Sequence, residues 1–137
     1  MGTRRLGREL ALQALYAVDL NPVEPRRLLA DFWENNPSPA DTRIYAEKLL
    51  TGVLEHREEL DLLIKDKARH WALSRMARVD LNLLRLAAYE LLRCNDVPKK
   101  VIINEAIEIA KKYGSEDSPA FINGILDVIE IPDGKAE

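Results

Sequence analysis

Apolar residues recur at helical spacing in almost every segment of this chain, and this periodicity limits the possible folds more than any other feature. Leu10, Ala11, Ala14, Leu15 and Val18 stand at positions i, i+1, i+4, i+5 and i+8, which share one face of an α-helix. No pair of strand-like segments flanks a hairpin dipeptide. The pattern predicts an all-α protein.

Turn and capping residues divide the pattern into a compact bundle of about six or seven helices. The segment from Arg78 to Leu92 is apolar around most of its circumference, so we expect it to be the buried central helix. For the third helix we expect eight core residues, namely Ile44, Leu49, Leu50, Val53, Leu54, Leu60, Leu63 and Ile64. The first predicted helix runs from its N-cap Thr3 to Asn21-Pro22, the second from about Pro25 to Trp33, and the third from about Ala40 to Lys67 with a break near His56. The fourth runs from Arg78 to Leu92, and the fifth has Pro98 in its first turn and ends at Gly114. The last runs from Pro119 to Ile129, with Ser118 as its N-cap.

The length and composition are those of one globular domain. With 137 residues, 47% of them hydrophobic and 31% charged, we expect a single domain over 1–137 with a flexible tail from about residue 131. No apolar run reaches the roughly 20 residues that span a bilayer, and no signal-peptide core follows the basic N-terminus. The single cysteine, Cys94, excludes an internal disulfide and is typical of a cytoplasmic protein.

Residues with catalytic or metal-binding chemistry are scattered. His56 and His70 fall on different predicted elements, no metal-ligand spacing occurs, and no glycine-rich phosphate loop is present. Glu105 and Glu108 could form a carboxylate pair, but exposed helix charge is the simpler interpretation. The sequence predicts no catalytic residues, no metal and no cofactor.

Three arginines cluster at the start of the chain, in the segment RRLGRELALQALY. Arg4 and Arg8 are four residues apart and Arg5 and Arg8 three, so all three can share one side of a helix. Removing their charges would change the net charge from −3 to −6, so the cluster is a local basic feature of an acidic chain. Arginine opposes the dipole at a helix N-terminus, and its planar fork suits phosphate oxygens. The cluster indicates a phosphate-binding surface, or else a solvated helix end.

A second basic and aromatic segment runs from Lys111 to Phe121. It combines two lysines, Tyr113, Phe121 and the start of a helix around one short loop. Backbone N–H groups at a helix start can bind an anion, and an aromatic ring can stack on an unpaired base. The alternative is that the two aromatic rings serve only in packing.

These segments together resemble the NusB family of bacterial transcription antitermination factors. The opening RRLGRELALQALY is similar to the family's arginine-rich first helix, and Arg78 to Leu92 is similar to its central helix. The segment VPKKVIINEAIEIAKKYGSEDSPAFINGIL, from Val97 to Leu126, resembles the family's most characteristic stretch. The similarity covers nearly the whole chain in the family's order.

The resemblance implies a fold and a function. The fold would be two small three-helix bundles packed across one another. The protein would bind the single-stranded boxA element of nascent ribosomal RNA transcripts, together with the ribosomal protein NusE, in an antitermination complex on RNA polymerase. It would not be an enzyme or touch a membrane, and a homodimer that hides the arginine-rich surface is left open.

The resemblance also implies site residues. Two would face NusE from the central helix, Asp80 and Arg85, whereas the face carrying Ile103 and Ile107 would be core. Two residues depart from the family pattern: Gly7 stands where the family often has a better helix former, and Pro119 stands where it often has a polar residue. The residues that would contribute to RNA binding are Arg4, Arg5, Arg8, Tyr16, Tyr113, Asp117, Phe121 and Asn123.

Two other functions are compatible with parts of the pattern. Domains similar to NusB occur fused to RNA methyltransferases, but such an enzyme needs a further α/β domain for its cofactor. A helical protein adaptor without RNA contact is the second alternative, and retained NusE binding without RNA binding would favour it.

Overall fold

The computed structural model describes residues 2–21 and 25–132 and confirms the all-α prediction. Within these ranges the chain forms seven α-helices and one 3₁₀ turn, Leu73–Arg75, and no β-strand. The tail expected from about residue 131 lies mostly outside the described residues. The helices are α1 (Thr3–Leu20), α2 (Pro25–Asn35), α3 (Ala40–Glu55), α4 (Arg57–Lys67), α5 (Arg78–Arg93), α6 (Lys99–Tyr113) and α7 (Ser118–Asp127).

The helices pack as two groups around α5. In the first group α1 packs along α3 and is flanked by α2, and in the second α6 packs along α7 and both contact α5. Helices α1, α3 and α4 also pack on α5. This arrangement agrees with two three-helix bundles packed across one another, with α4 as the connecting helix.

Helix α5 is the centre of the molecule, as its sequence predicts. Its residues are buried without interruption from Asp80 to Ala88. The predicted apolar face of α1 is buried as well, with Ala11 and Ala14 completely inaccessible. These surfaces belong to one continuous hydrophobic core to which all seven helices contribute. No described helix is long and apolar enough to cross a membrane.

One predicted core residue is wrong. Ile44 is 69% exposed, whereas Leu49, Leu50 and Val53 of the same helix are buried. The buried face of α3 begins at Thr42, and Ile44 stands two residues later, about 200° further around the helix. Its side chain therefore points away from the core despite its apolar character.

The predicted helix caps are displaced by one residue. Gly2, not Thr3, is the N-cap of α1, Pro98 precedes α6 as its N-cap, and Asp117, not Ser118, is the N-cap of α7. The Ser118 hydroxyl instead accepts a hydrogen bond from the N–H of Ser115 at 2.9 Å. The side chain expected to cap α7 therefore closes the loop before it.

Two glycines permit close contacts that the sequence does not reveal. A Cβ on Gly7 would lie 2.8 Å from the Tyr45 ring, so this glycine lets α1 approach α3. A Cβ on Gly114 would lie 2.5 Å from the Ser118 hydroxyl and 2.9 Å from the Ala110 carbonyl oxygen. Gly114 thus lets α7 begin directly against the end of α6.

Candidate nucleic-acid interface

The three arginines of the cluster differ sharply in accessibility. The Arg8 side chain is 6% exposed, and its Nε and Nη2 donate to the two Glu90 carboxylate oxygens at 2.8 Å each. Glu90 is itself buried, near the C-terminal end of α5. Removing one partner of such a buried pair costs about 3–5 kcal/mol, so Arg8 is held by Glu90 inside the protein. The prediction that Arg8 contacts RNA does not fit this placement.

Arg4 and Arg5 remain at the surface. The Arg4 side chain is 54% exposed and lies 3.3 Å from the Asp96 carboxylate. The Arg5 side chain is 33% exposed and binds Glu105 through two N–H groups, with Nε at 2.9 Å from Oε1. Hydrogen bonding and charge from Arg5 hold the pKa of the Glu105 carboxyl below its ordinary value of 4.5. Both arginines are charge-paired, and both can be reached by a ligand.

A buried carboxylate joins the start of the chain to the second predicted segment. Glu9 is 4% exposed, and its Oε1 accepts from the Lys112 ammonium at 2.7 Å and from the Tyr113 hydroxyl at 2.8 Å. The amide of Gln13 donates to the Tyr113 oxygen at 3.1 Å. Burial, together with the hydrogen bond to Glu9 and its charge, raises the pKa of Tyr113 above its ordinary value of 10. The fold therefore unites the two segments that the sequence singled out.

Tyr16 extends the same side of α1. Arg5, Glu9 and Tyr16 are spaced four and seven residues apart, which places them along one stripe of the helix. The Tyr16 ring is 37% exposed. Arg5 and Tyr16 therefore lie on the side of α1 that carries Glu9, the residue that binds Lys112 and Tyr113 at the end of α6.

The remaining predicted RNA-binding residues divide between two grooves. Phe121 is half-buried, contacts Trp71 edge to face with ring centroids 5.5 Å apart, and lines a pocket with Asp117. Asn123 is exposed and lines a separate groove, with Lys99 and Lys100 of α6. The structure therefore brings Phe121 and Asp117 together but places Asn123 on a different surface.

The two residues predicted to face a protein partner are buried. Arg85 is 4% exposed and donates to both oxygens of Asp61, at 2.7 and 2.9 Å, and to Asp19 at 3.1 Å. Asp80 is 8% exposed. The prediction that Arg85 faces a partner does not fit, because its N–H groups hold α4 and the end of α1 against α5.

Asp19 lies at the centre of a second network of ion pairs, which includes Arg85 and Arg57. Its carboxylate is 2% exposed and lies 2.6 Å from Arg57 and 3.1 Å from Arg85. Burial alone would raise the Asp19 pKa, but the hydrogen bond from Asn82 and the charges of the arginines outweigh it and lower the pKa below the ordinary 3.8.

The lowered Asp19 pKa predicts a specific loss of stability in acid. A carboxylate with a depressed folded pKa stabilises the protein above its unfolded pKa, and the stabilisation is lost as the pH falls through the folded pKa. We therefore expect the free energy of unfolding, measured by urea titration, to fall below about pH 4, and less steeply in Asp19→Asn. Equal slopes in the two proteins would contradict the assignment.

The residues considered for catalysis have structural surroundings. The Glu105 carboxylate is bound by Arg5, and the Glu108 carboxylate lies 2.8 Å from the Lys111 ammonium, so each glutamate has its own cation. His56 stacks on Tyr89 with centroids 6.1 Å apart. In the described part of the chain, no group of three or more His, Cys, Asp or Glu side chains could hold a metal ion.

Sequence reasoning missed the carboxylates that pair with the arginines, above all Glu90. A signal for it exists, since Glu90 interrupts an otherwise apolar stretch of the central helix, where a charged side chain needs a partner. Trp71 was missed as well, because it precedes α5 in a segment without periodicity.

Fold and site together define a small all-α protein with a candidate nucleic-acid interface on its first and sixth helices. The NusB family model matches residues 5–130. Transcription antitermination protein NusB of Trichlorobacter lovleyi is 58% identical over 130 residues, covering 95% of this chain and 92% of that protein. The protein of the same name from Geobacter sulfurreducens is also 58% identical, covering 94% of each. This chain belongs to the NusB family.

Solved structures agree with this assignment. T. maritima NusB has a TM-score of 0.80 and 37% identity, covering 93% of this chain and 89% of that one. A chain in a crystal structure of the antitermination factors NusB and NusE in complex with double-stranded RNA has a TM-score of 0.81 and 30% identity, covering 93% and 95%.

Proposed function

We propose that this chain is a transcription antitermination factor that binds single-stranded RNA of the boxA type together with NusE, within a complex on RNA polymerase. The observation that carries the proposal is the pair of hydrogen bonds that the Glu9 carboxylate accepts from Lys112 and Tyr113. These bonds hold the end of α6 beside the first turns of α1, which carry the arginine cluster. The relatives named NusB and the NusB–NusE–RNA structure support the same function.

Phosphate recognition is assigned to Arg4 and Arg5. Their ion pairs with Asp96 and Glu105 are at least partly exposed, and such pairs contribute only about 0–1 kcal/mol to stability. An RNA phosphate can therefore replace or share the carboxylate at little cost. Arg8 has a different role, since its pair with Glu90 sets the position of α1 on α5.

Base recognition is assigned to the aromatic rings of Tyr16, Tyr113 and Phe121. Tyr113 and Phe121 are half-buried and packed against the core, and Tyr16 is exposed, so part of each ring remains open. Stacking of an unpaired base on such a ring contributes about 1–3 kcal/mol and tolerates any base. Sequence preference then comes from hydrogen bonds to base edges.

The proposal is tested by fluorescence anisotropy of a labelled boxA-like RNA, with a scrambled RNA as control, in the presence and absence of NusE. We expect selective binding that NusE strengthens at the same salt concentration, because the partner extends the RNA-binding surface. Binding of NusE without any RNA affinity would contradict the proposal and favour the protein-adaptor function.

The substitution Asp117→Asn is expected to tighten RNA binding severalfold at modest salt. Asp117 is exposed beside the proposed surface, and its carboxylate repels phosphates. It makes no capping hydrogen bond to α7, so the unfolding free energy should hardly change. Anisotropy titrations of both proteins measure the effect, and unchanged affinity would remove Asp117 from the RNA surface.

A further inference from the structure

Five cations on the first turns of α1 and at the end of α6 each pair with a carboxylate of the same chain. The pairs are Arg4–Asp96, Arg5–Glu105, Arg8–Glu90, Lys111–Glu108 and Lys112–Glu9. The loop after α6 adds two exposed negative charges, Glu116 and Asp117. Nucleic-acid-binding surfaces ordinarily carry an excess of positive charge, and these residues together have none. An RNA phosphate must therefore take over a cation that already has a partner.

Glu105 binds Arg5 in the way that a phosphate would. Two N–H groups of Arg5 donate to its carboxylate, and the Nε–Oε1 distance is 2.9 Å. A guanidinium binds carboxylate and phosphate oxygens through the same two-pronged geometry. The hydrogen bonds from Arg5 lower the pKa of Glu105 below its ordinary 4.5, so the carboxylate is charged at neutral pH. Glu105 thus occupies a two-donor edge of Arg5 to which an RNA phosphate would bind.

This ion pair can open without leaving a buried charge behind. The side chains of Arg5 and Glu105 are 33% and 18% exposed, so a ligand can reach both. Glu105 also lies 3.6 Å from Nη1 of Arg8, so one cation stays beside it when Arg5 turns to a phosphate. The pair of Arg8 and Glu90, in contrast, is closed to solvent. Glu105 is therefore placed to exchange with RNA.

We propose that Glu105 is an internal competitor for RNA, whose carboxylate holds Arg5 in the free protein and is displaced by an RNA phosphate on binding. The inference rests on the proposed RNA-binding function and adds a regulation of the same site. The phosphate replaces two charge-assisted hydrogen bonds of Arg5 rather than adding to them, so this contact yields only a small net gain. Stable binding then also needs the bases that stack on Tyr16 and Tyr113.

The substitution Glu105→Gln tests the competition, because glutamine keeps the shape and one acceptor oxygen but removes the charge. We expect the full chain with this substitution to bind a labelled boxA-like RNA about three- to tenfold more tightly at modest salt, measured by fluorescence anisotropy. Its unfolding in urea should be nearly unchanged, because the glutamine oxygen can still accept from Arg5.

The matched control is Glu47→Gln on α3, outside the proposed RNA surface. It removes the same charge from an ion pair with Arg43, and it should change RNA affinity less than about twofold. Equal gains in the two variants would overturn the inference in favour of a general effect of charge. Unchanged or weaker binding by Glu105→Gln would also overturn it, since the carboxylate would then serve to orient Arg5 for RNA.

The same substitution in an Arg5→Ala chain separates competition from simple repulsion. If Glu105 acts by occupying Arg5, the gain from Glu105→Gln should be at least about twofold smaller once Arg5 is absent. Repulsion between the carboxylate and phosphates does not need Arg5. An equal or larger gain in the Arg5→Ala chain would therefore overturn the inference.

The inference and the RNA-binding proposal can fail separately. RNA binding that depends on Arg4 and Arg5, without a gain in Glu105→Gln, would reject the competition and leave the RNA function intact. Absence of RNA binding in both the wild type and Glu105→Gln, with and without NusE, would reject the RNA function itself.

Discussion

Replacing Arg8 with alanine is expected to lower the free energy of unfolding by about 3–5 kcal/mol, the largest loss of stability predicted for this protein. The substitution leaves the Glu90 carboxylate buried in α5 without its bidentate partner, while the Tyr45 hydroxyl at 3.3 Å remains as a neutral donor. Glu105, whose carboxylate is 3.6 Å from Arg8, loses the same cation. Urea or guanidinium unfolding of the two proteins measures the difference.

A double replacement separates the buried charge from the packing. In Arg8→Met/Glu90→Leu both charges are removed together, so the loss should be much smaller than in Arg8→Ala. The comparison also bears on RNA, because the double variant keeps Arg4 and Arg5 and should still bind it. A loss below about 1 kcal/mol in Arg8→Ala would mean that the guanidinium is free in solution and available to RNA.

The double substitution Arg4→Ala/Arg5→Ala is expected to lower RNA affinity about 10- to 50-fold at moderate salt, with a change in unfolding free energy below about 1 kcal/mol. Each arginine that meets a phosphate contributes about 0.7 to the slope of log affinity against log salt on a single strand. The slope should therefore become less negative by about 1.4 in the variant. Anisotropy titrations at several salt concentrations measure both quantities.

The chain contains a matched control for this pair. Arg26 and Arg27 also follow one another in the first turn of a helix, α2, and both are exposed. Arg26→Ala/Arg27→Ala changes the net charge by the same amount as Arg4→Ala/Arg5→Ala. Because these residues lie on α2, outside the proposed RNA surface, RNA affinity should remain nearly unchanged. Equal losses in the two variants would indicate a general effect of charge rather than a site on α1.

The interface could be predicted from sequence only in part. The arginine cluster and the Lys111–Phe121 segment were recognised, and the structure brings the end of α6 to the first turns of α1. The burial of Arg8 could not be predicted from its spacing, because helical spacing places Arg4, Arg5 and Arg8 on one side of α1. In the structure only the Arg8 side chain is buried. Asn123 was grouped with Phe121, although a separation of two residues points them to different grooves.

Helical periodicity is a local property of the chain, and for that reason the sequence alone was enough for the helices, the central position of α5 and the family. Ion pairs and pockets have no such local pattern. Arg8 meets Glu90 across 82 residues and Arg5 meets Glu105 across 100. The packing of α1 on α5, and of α6 on α5, brings these partners together. That packing separates the accessible arginines from the buried one.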